Sequence, residues 1–146
     1  MKLFLGSDHA GFEVKERLKT YFKQNHFNYE DMGCDSQKSA DYPDIAKKVA
    51  LEVIKSDGNK GVLICGTGIG MSMAANAIKG AHAALVYNES TAKMSSEHNN
   101  ANILCLGGRE FPYERLENFV KIWLETPFSQ EPRHQNRINK IMKLEE

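Results

Sequence analysis

The chain of 146 residues fits one domain, 1–146, large enough to bury a core without disulfides or a structural metal. Its 19 basic and 19 acidic residues cancel, which removes the global field that nucleic acid or an anionic membrane surface would attract. Cys34, Cys65 and Cys105 stand 31 and 40 positions apart, a spacing that excludes CxxC metal and redox motifs and suits a reducing, cytoplasmic setting.

The N-terminal run Met1–Leu5 meets Gly6-Ser7-Asp8 at once, too short for a signal peptide or a membrane span. Lys2–Gly6 reads as a first strand, followed by a helix over Gly11–Gln24 with Phe12, Leu18, Tyr21 and Phe22 on one face. Phe27–Met32 reads as a weaker second strand. Pro43 suits the first turn of a helix burying Ile45, Val49 and Val53, which Asp57-Gly58 closes. Val62–Cys65 has the composition of a buried strand and runs into Gly66-Thr67-Gly68-Ile69-Gly70 and a helix over Met71–Ile78. Strands over Ala83–Val86 and Ile103–Leu106 complete a set of five. Helices are expected over Glu89–Glu97, Pro112–Glu125 and Pro132–Glu145, the second turning Leu116, Phe119, Val120 and Trp123 inward. This alternation predicts an α/β fold: a three-layer α/β/α Rossmann-like arrangement around a five-stranded parallel sheet.

In such a sheet ligands bind beyond the carboxyl ends of the strands, so the loops after strands one, three and five are expected to share a site. The first loop is Gly6-Ser7-Asp8-His9-Ala10-Gly11 and the second is Cys65–Gly70. The third region combines Ser96-Glu97-His98-Asn99-Asn100 with Gly107-Gly108-Arg109. Glycines at alternate positions after Cys65 let backbone N–H groups converge on one anion, and with a helix N-terminus they stabilise a thiolate.

Familiar motifs fail on particular residues. Met71 stands where the dinucleotide fingerprint needs its third glycine, and Phe12-Glu13 replaces the Lys-Ser/Thr of a P-loop. The arginine of a thiol phosphatase loop is absent, since Met71 also holds the sixth place after Cys65. The histidines lack HExxH or paired metal spacing. A thiol, loop histidines, an aspartate and several arginines suit proton transfer on a small phosphorylated substrate. Aldose–ketose isomerisation needs a base beside a carbonyl, an acid that opens the ring and donors for an enediolate. Cys65 is the candidate base and the Gly66–Gly70 amides the donors. Arg133 and Arg137, four apart on one helix face, and Arg109 are candidates to grip phosphate.

These residues carry a resemblance to the sugar-phosphate isomerase family that contains ribose-5-phosphate isomerase type B and the galactose-6-phosphate isomerase subunits. It runs through Gly6–Phe12, Asp41-Tyr42-Pro43-Asp44, Cys65–Gly70, His98-Asn99, Asn102 and Gly107-Gly108-Arg109. The resemblance implies a metal-free enzyme without organic cofactor, acting on a phosphorylated sugar as a homodimer or tetramer with active sites between subunits. By position it implies Cys65 as proton-abstracting base, His98 as ring-opening acid–base group and Thr67 as a helper at the ring oxygen. Asp8, His9 and Asn99 are implied as substrate contacts, Gly66, Thr67, Gly68, Ile69 and Gly70 as the anion hole, and Arg109, Arg133 and Arg137 as the phosphate clamp. One branch of the family places a glutamate base just after the last glycine; Met71 occupies that place here, which leaves the role to Cys65.

Plainer readings stand beside these. Cys65 could be a small core hydrophobe, His98 a helix cap, Asp8 a helix N-terminal residue and the arginines a solvated face. His134 could meet phosphate or only solvent, while Cys34, Cys105, His26 and His82 read as structural. The substrate implied is D-ribose 5-phosphate in exchange with D-ribulose 5-phosphate. A 6-phosphohexose such as galactose or allose 6-phosphate is the alternative, and a sugar-phosphate or nucleotide binding module without turnover is a third reading.

Overall fold

A computed structural model describes residues 1–146. Five strands, β1 (Leu3–Ser7), β2 (Tyr29–Asp31), β3 (Lys60–Cys65), β4 (Ala83–Leu85) and β5 (Ile103–Gly107), form one parallel sheet in the order β2-β1-β3-β5-β4. Six α-helices connect or flank them: α1 (Phe12–Gln24), α2 (Tyr42–Val53), α3 (Ile69–Asn76), α4 (Glu89–Glu97), α5 (Tyr113–Glu125) and α6 (Pro132–Leu144). All the expected elements form, most with ends within two residues of those expected and α4 with the bounds expected, while α2 stops at Val53, short of Asp57-Gly58. A short 3₁₀ turn over His9–Gly11 precedes α1, within the loop expected after β1.

The strands show why the central sheet is apolar on both faces. Leu3, Leu5, Val62, Ile64, Leu104 and Leu106 join a core with Val14, Leu18 and Phe22 of α1 and with Leu116, Phe119, Val120 and Trp123 of α5. The alternate residues Phe4, Leu63, Cys65, Ile103 and Cys105 face Ile45, Ala46, Val49, Ala50 and Val53 of α2 and Met71 and Ala75 of α3. That two-residue alternation sorts helices onto opposite faces and completes the three layers.

Helix α1 departs from the expected pattern. Phe12 and Tyr21 are only half-buried, and the fully inward positions are Val14, Lys15, Leu18 and Phe22. Lysine at position 15 masked the true phase of the apolar stripe.

No helix is long and apolar enough to cross a membrane. Strands β1, β3 and β5 are adjacent in the sheet, so the loops leaving them meet at its carboxyl edge, as expected.

Candidate active site

At that edge Asp8 directly follows β1 and caps the 3₁₀ turn. Its Oδ1 accepts the N–H groups of Ala10 at 2.9 Å and Gly11 at 3.1 Å, while its own N–H donates to the Ile64 carbonyl at 3.2 Å. The carboxylate is thereby fixed with Oδ2 left over for a ligand. His9 Nδ1 accepts the Ala40 N–H at 3.3 Å, which places the proton of a neutral ring on Nε2.

Cys65 is the last residue of β3, and its side chain is 5 % exposed. Its Sγ accepts the Gly68 N–H at 3.1 Å, a bond made possible by the left-handed turn at Gly68, φ 82°. Thr67 Oγ1 accepts the Ile69 N–H at 3.2 Å, fixing the hydroxyl at the start of α3. The N–H groups of Gly66, Thr67, Gly70 and Met71 have no acceptor within the chain, so the loop has donors to spare for a ligand. Ile69 is half exposed, whereas Met71 is fully buried among the residues beneath Cys65. Cys65 lines the core on one side, as a small hydrophobe would, and meets the Gly68 N–H on the other. Cys105 differs, since burial, and then the neighbouring Cys65, push its thiol far up and keep it protonated.

The β5 loop closes over the same place. The Gly108 N–H donates to the Cys65 carbonyl at 2.8 Å and the Arg109 N–H to the Gly66 carbonyl at 3.1 Å. The Arg109 side chain passes close to Gly66, with Cδ 3.6 Å and Nη1 3.8 Å from where a Cβ there would stand. On the other side the ring of Tyr42 packs on Gly70 so closely that a Cβ would lie 2.5 Å from its Cε1. Tyr42 belongs to the Asp41–Asp44 match but received no role from sequence. The glycine at 70 was the available signal, because it marks a close approach by another group.

His98 and Asn99 are not there. The expectation that the 96–100 segment joins these loops within one chain is corrected by topology. Helix α4 leaves the carboxyl edge after β4 and runs back along the sheet, so His98, its C-cap, lies at the amino edge before β5 begins. Ile103 at the start of β5 pairs with Gly61 and Gly107 at its end with Cys65, and those four steps alone span about 13 Å.

A second cluster forms around His98. Its ring stacks on His134 of α6, centroids 4.2 Å apart and 31° between planes. His134 is 4 % exposed, and its Nδ1 lies 2.7 Å from Ser129 Oγ. This corrects the solvent reading of His134, which shares the inward face of α6 with Ile138 one turn on. Arg133 and Arg137 sit beside that face and are exposed; Arg133 Nε donates to Glu131 Oε2 at 2.7 Å. His26 is an exposed residue at positive φ, and His82 Nε2 lies 2.7 Å from Glu145 Oε1. Nowhere do three His, Cys, Asp or Glu side chains gather as a metal-binding group.

Between the two clusters, along the open edge of β4, lies a cavity of about 370 Å³ whose walls include Leu85, Met94, Asn99, Ala101, Ile138 and Ile141. Ile69 and Met73, one turn apart on α3 and 52 % and 71 % exposed, and Tyr87, 56 % exposed, extend the apolar surface.

A family model described as Ribose/Galactose Isomerase matches residues 3–141. The chain is 44 % identical to a putative sugar phosphate isomerase of Bacillus subtilis, over 100 % of this chain and 98 % of that one. It is 43 % identical to a probable ribose-5-phosphate isomerase B of Mycoplasma genitalium, over 98 % of this chain and 95 % of the relative. The structure of the M. genitalium ribose-5-phosphate isomerase B with bound ribulose-5-phosphate superposes with a TM-score of 0.95 at 42 % identity, covering 99 % of this chain and 95 % of that one. The ribose-5-phosphate isomerase B of Clostridium thermocellum superposes with a TM-score of 0.94 at 41 % identity, over 99 % and 97 % of the two chains.

Proposed function

The chain belongs to the ribose/galactose isomerase family, and from that membership we propose that it interconverts D-ribose 5-phosphate and D-ribulose 5-phosphate through a cis-enediolate. The observation that carries this reading is Cys65: a thiol at the mouth of a loop whose Gly68 N–H already points at the sulfur, 3.1 Å away. The full-length likeness to proteins named for the pentose favours ribose over a 6-phosphohexose.

In this mechanism Asp8 and His9 hold the sugar phosphate, with Asn99 supplying a further hydrogen bond. Arg109, Arg133 and Arg137 clamp the phosphate through paired N–H donors. His98 gives a proton to the ring oxygen and the C1 hydroxyl loses one, with Thr67 beside the ring oxygen, so the furanose opens to the aldehyde. The Cys65 thiolate then takes the C2 proton, and the unpaired N–H groups of the Gly66–Gly70 loop, those of Gly66, Thr67 and Gly70, take up the charge that moves onto the carbonyl oxygen. Transfer of the C2 hydroxyl proton to the charged oxygen on C1, and return of the proton held by Cys65 to C1 itself, complete the ketose and restore the thiolate.

Since Cys65 and His98 occupy opposite edges of one sheet, the cycle needs two chains. His98, Asn99, Arg133 and Arg137 of a second copy complete the site at Cys65, and the apolar β4 edge is the surface where two copies meet. A homodimer suffices; a tetramer would pair two of them. The three unpaired cysteines fit a cytoplasmic enzyme.

The test is substrate ranking. Purified protein incubated with ribose 5-phosphate or allose 6-phosphate in EDTA is expected to turn over the pentose faster and to ignore the chelator. Preference for the hexose, turnover of neither, or activity lost to EDTA would overturn the corresponding part of the proposal.

A further inference from the structure

Lys15 is fully buried in a helix face otherwise made of Val14, Leu18 and Phe22. Its Nζ donates to both carboxylate oxygens of Asp31, at 2.7 and 2.6 Å. Lys19 Nζ adds a bond to Asp31 Oδ2 at 2.8 Å, and Asp31 Oδ1 also accepts the Gly33 N–H at 2.9 Å. Burial by itself would push the Asp31 carboxyl up, but these donors outweigh it and hold the group below its usual range.

The bonds continue to the active edge. Ser7 N–H donates to the Gly33 carbonyl at 2.8 Å, and Cys34 N–H donates to the Ser7 carbonyl at 2.9 Å. Ser7 is joined to Asp8, Asp8 caps the turn into α1, and α1 carries Lys15. The path therefore closes on itself: Asp8, α1, Lys15, Asp31, Gly33, Ser7 and back to Asp8.

Burying an ammonium is a poor way to gain stability, because a well-packed apolar pair often serves as well or better. Strand β2 is only three residues long and lies at the sheet margin, with no second neighbour to hold it. The ion pair fastens its last residue to α1, which lets pairing with β1 extend past the strand to the residue beside Asp8.

We infer that Lys15 and Asp31 are positioning residues for Asp8, a role that rests on the reading of Asp8 as a group that holds substrate. The pair fixes the turn from behind while the Ile64 carbonyl fixes it from β3. Neither residue touches the sugar.

A double-mutant cycle tests this. The paired change Lys15→Met with Asp31→Leu replaces the ion pair by apolar side chains, and Asp31→Asn is the milder variant should that protein not fold. For the paired change we expect kcat/KM on ribose 5-phosphate to fall about tenfold, mainly through KM, with Tm nearly unchanged; for Asp31→Asn, about threefold. In an Asp8→Asn background either change should cost less than twofold more. A folded variant with kcat/KM within twofold of the parent, or a loss equally large without the Asp8 carboxylate, would overturn the positioning role alone. Unchanged kcat/KM in Asp8→Asn itself would overturn the reading of Asp8 and the inference with it.

Discussion

His134 lies against His98 with ring centroids 4.2 Å apart, and Ser129 holds its Nδ1 at 2.7 Å, so an inward residue of α6 buttresses the C-cap of α4. Burial, followed by the nearby His98 and Arg133 charges, lowers the His134 pKa below its ordinary value of 6.5.

The lowered value sets a sign. The unfolded chain binds this proton more readily than the folded one, so the stability involved is present above about pH 6.5 and is lost as pH falls below it. Thermal melts from pH 7.5 to 5 should show a decline that is shallower in His134→Leu than in the parent. A parallel decline in the two proteins would assign the acid sensitivity elsewhere.

Gly68→Ala should damage the base directly. A Cβ there would meet Leu85 Cδ1 at 2.6 Å and the Leu106 carbonyl carbon at 2.9 Å, at a φ of 82° that L side chains resist. The turn must shift and carry with it the N–H that points at Cys65. We expect a stability loss of about 1–2 kcal/mol from the left-handed backbone, more if the neighbours cannot yield. The fall in kcat should be on the order of 10²-fold, comparable to losing an oxyanion-hole donor. Chemical denaturation and steady-state kinetics measure the two separately.

The separation of Cys65 from His98 leads to a complementation experiment. Cys65→Ala and His98→Asn should each be poor isomerases on cyclic substrate, and His98→Asn should keep most of its activity on an open-chain analogue. When the two are unfolded, mixed and refolded, hybrid dimers contain one site with both groups intact, restoring about a quarter of parental activity by random pairing. No restoration in demonstrated hybrids would place each site within one chain.

Much of the fold was legible because the chemistry is local. Val62–Cys65 and Ile103–Leu106 are apolar runs of strand length ending in glycine loops, and Glu89–Glu97 has the bounds its pattern suggests. Adjacency of β1, β3 and β5 followed from where ligands bind in such sheets. Three-dimensional direction was harder to read. His98-Asn99 stands only a few residues before β5, yet α4 delivers it to the opposite edge from Cys65. The apolar face expected for α1 does not include Lys15, because burial of a lysine depends on Asp31, sixteen positions away on another element. Tyr42 was hidden for a similar reason, since its contact is with Gly70 rather than with a neighbour in sequence.

The most direct test of the central claim is proton exchange with solvent at the carbon next to the carbonyl. Parent and Cys65→Ala proteins would be incubated with ribose 5-phosphate in deuterated water, with sugar-phosphate binding measured in parallel. Loss of exchange with binding retained is the expected result. Exchange at near parental rate without the thiol would contradict Cys65 as the base.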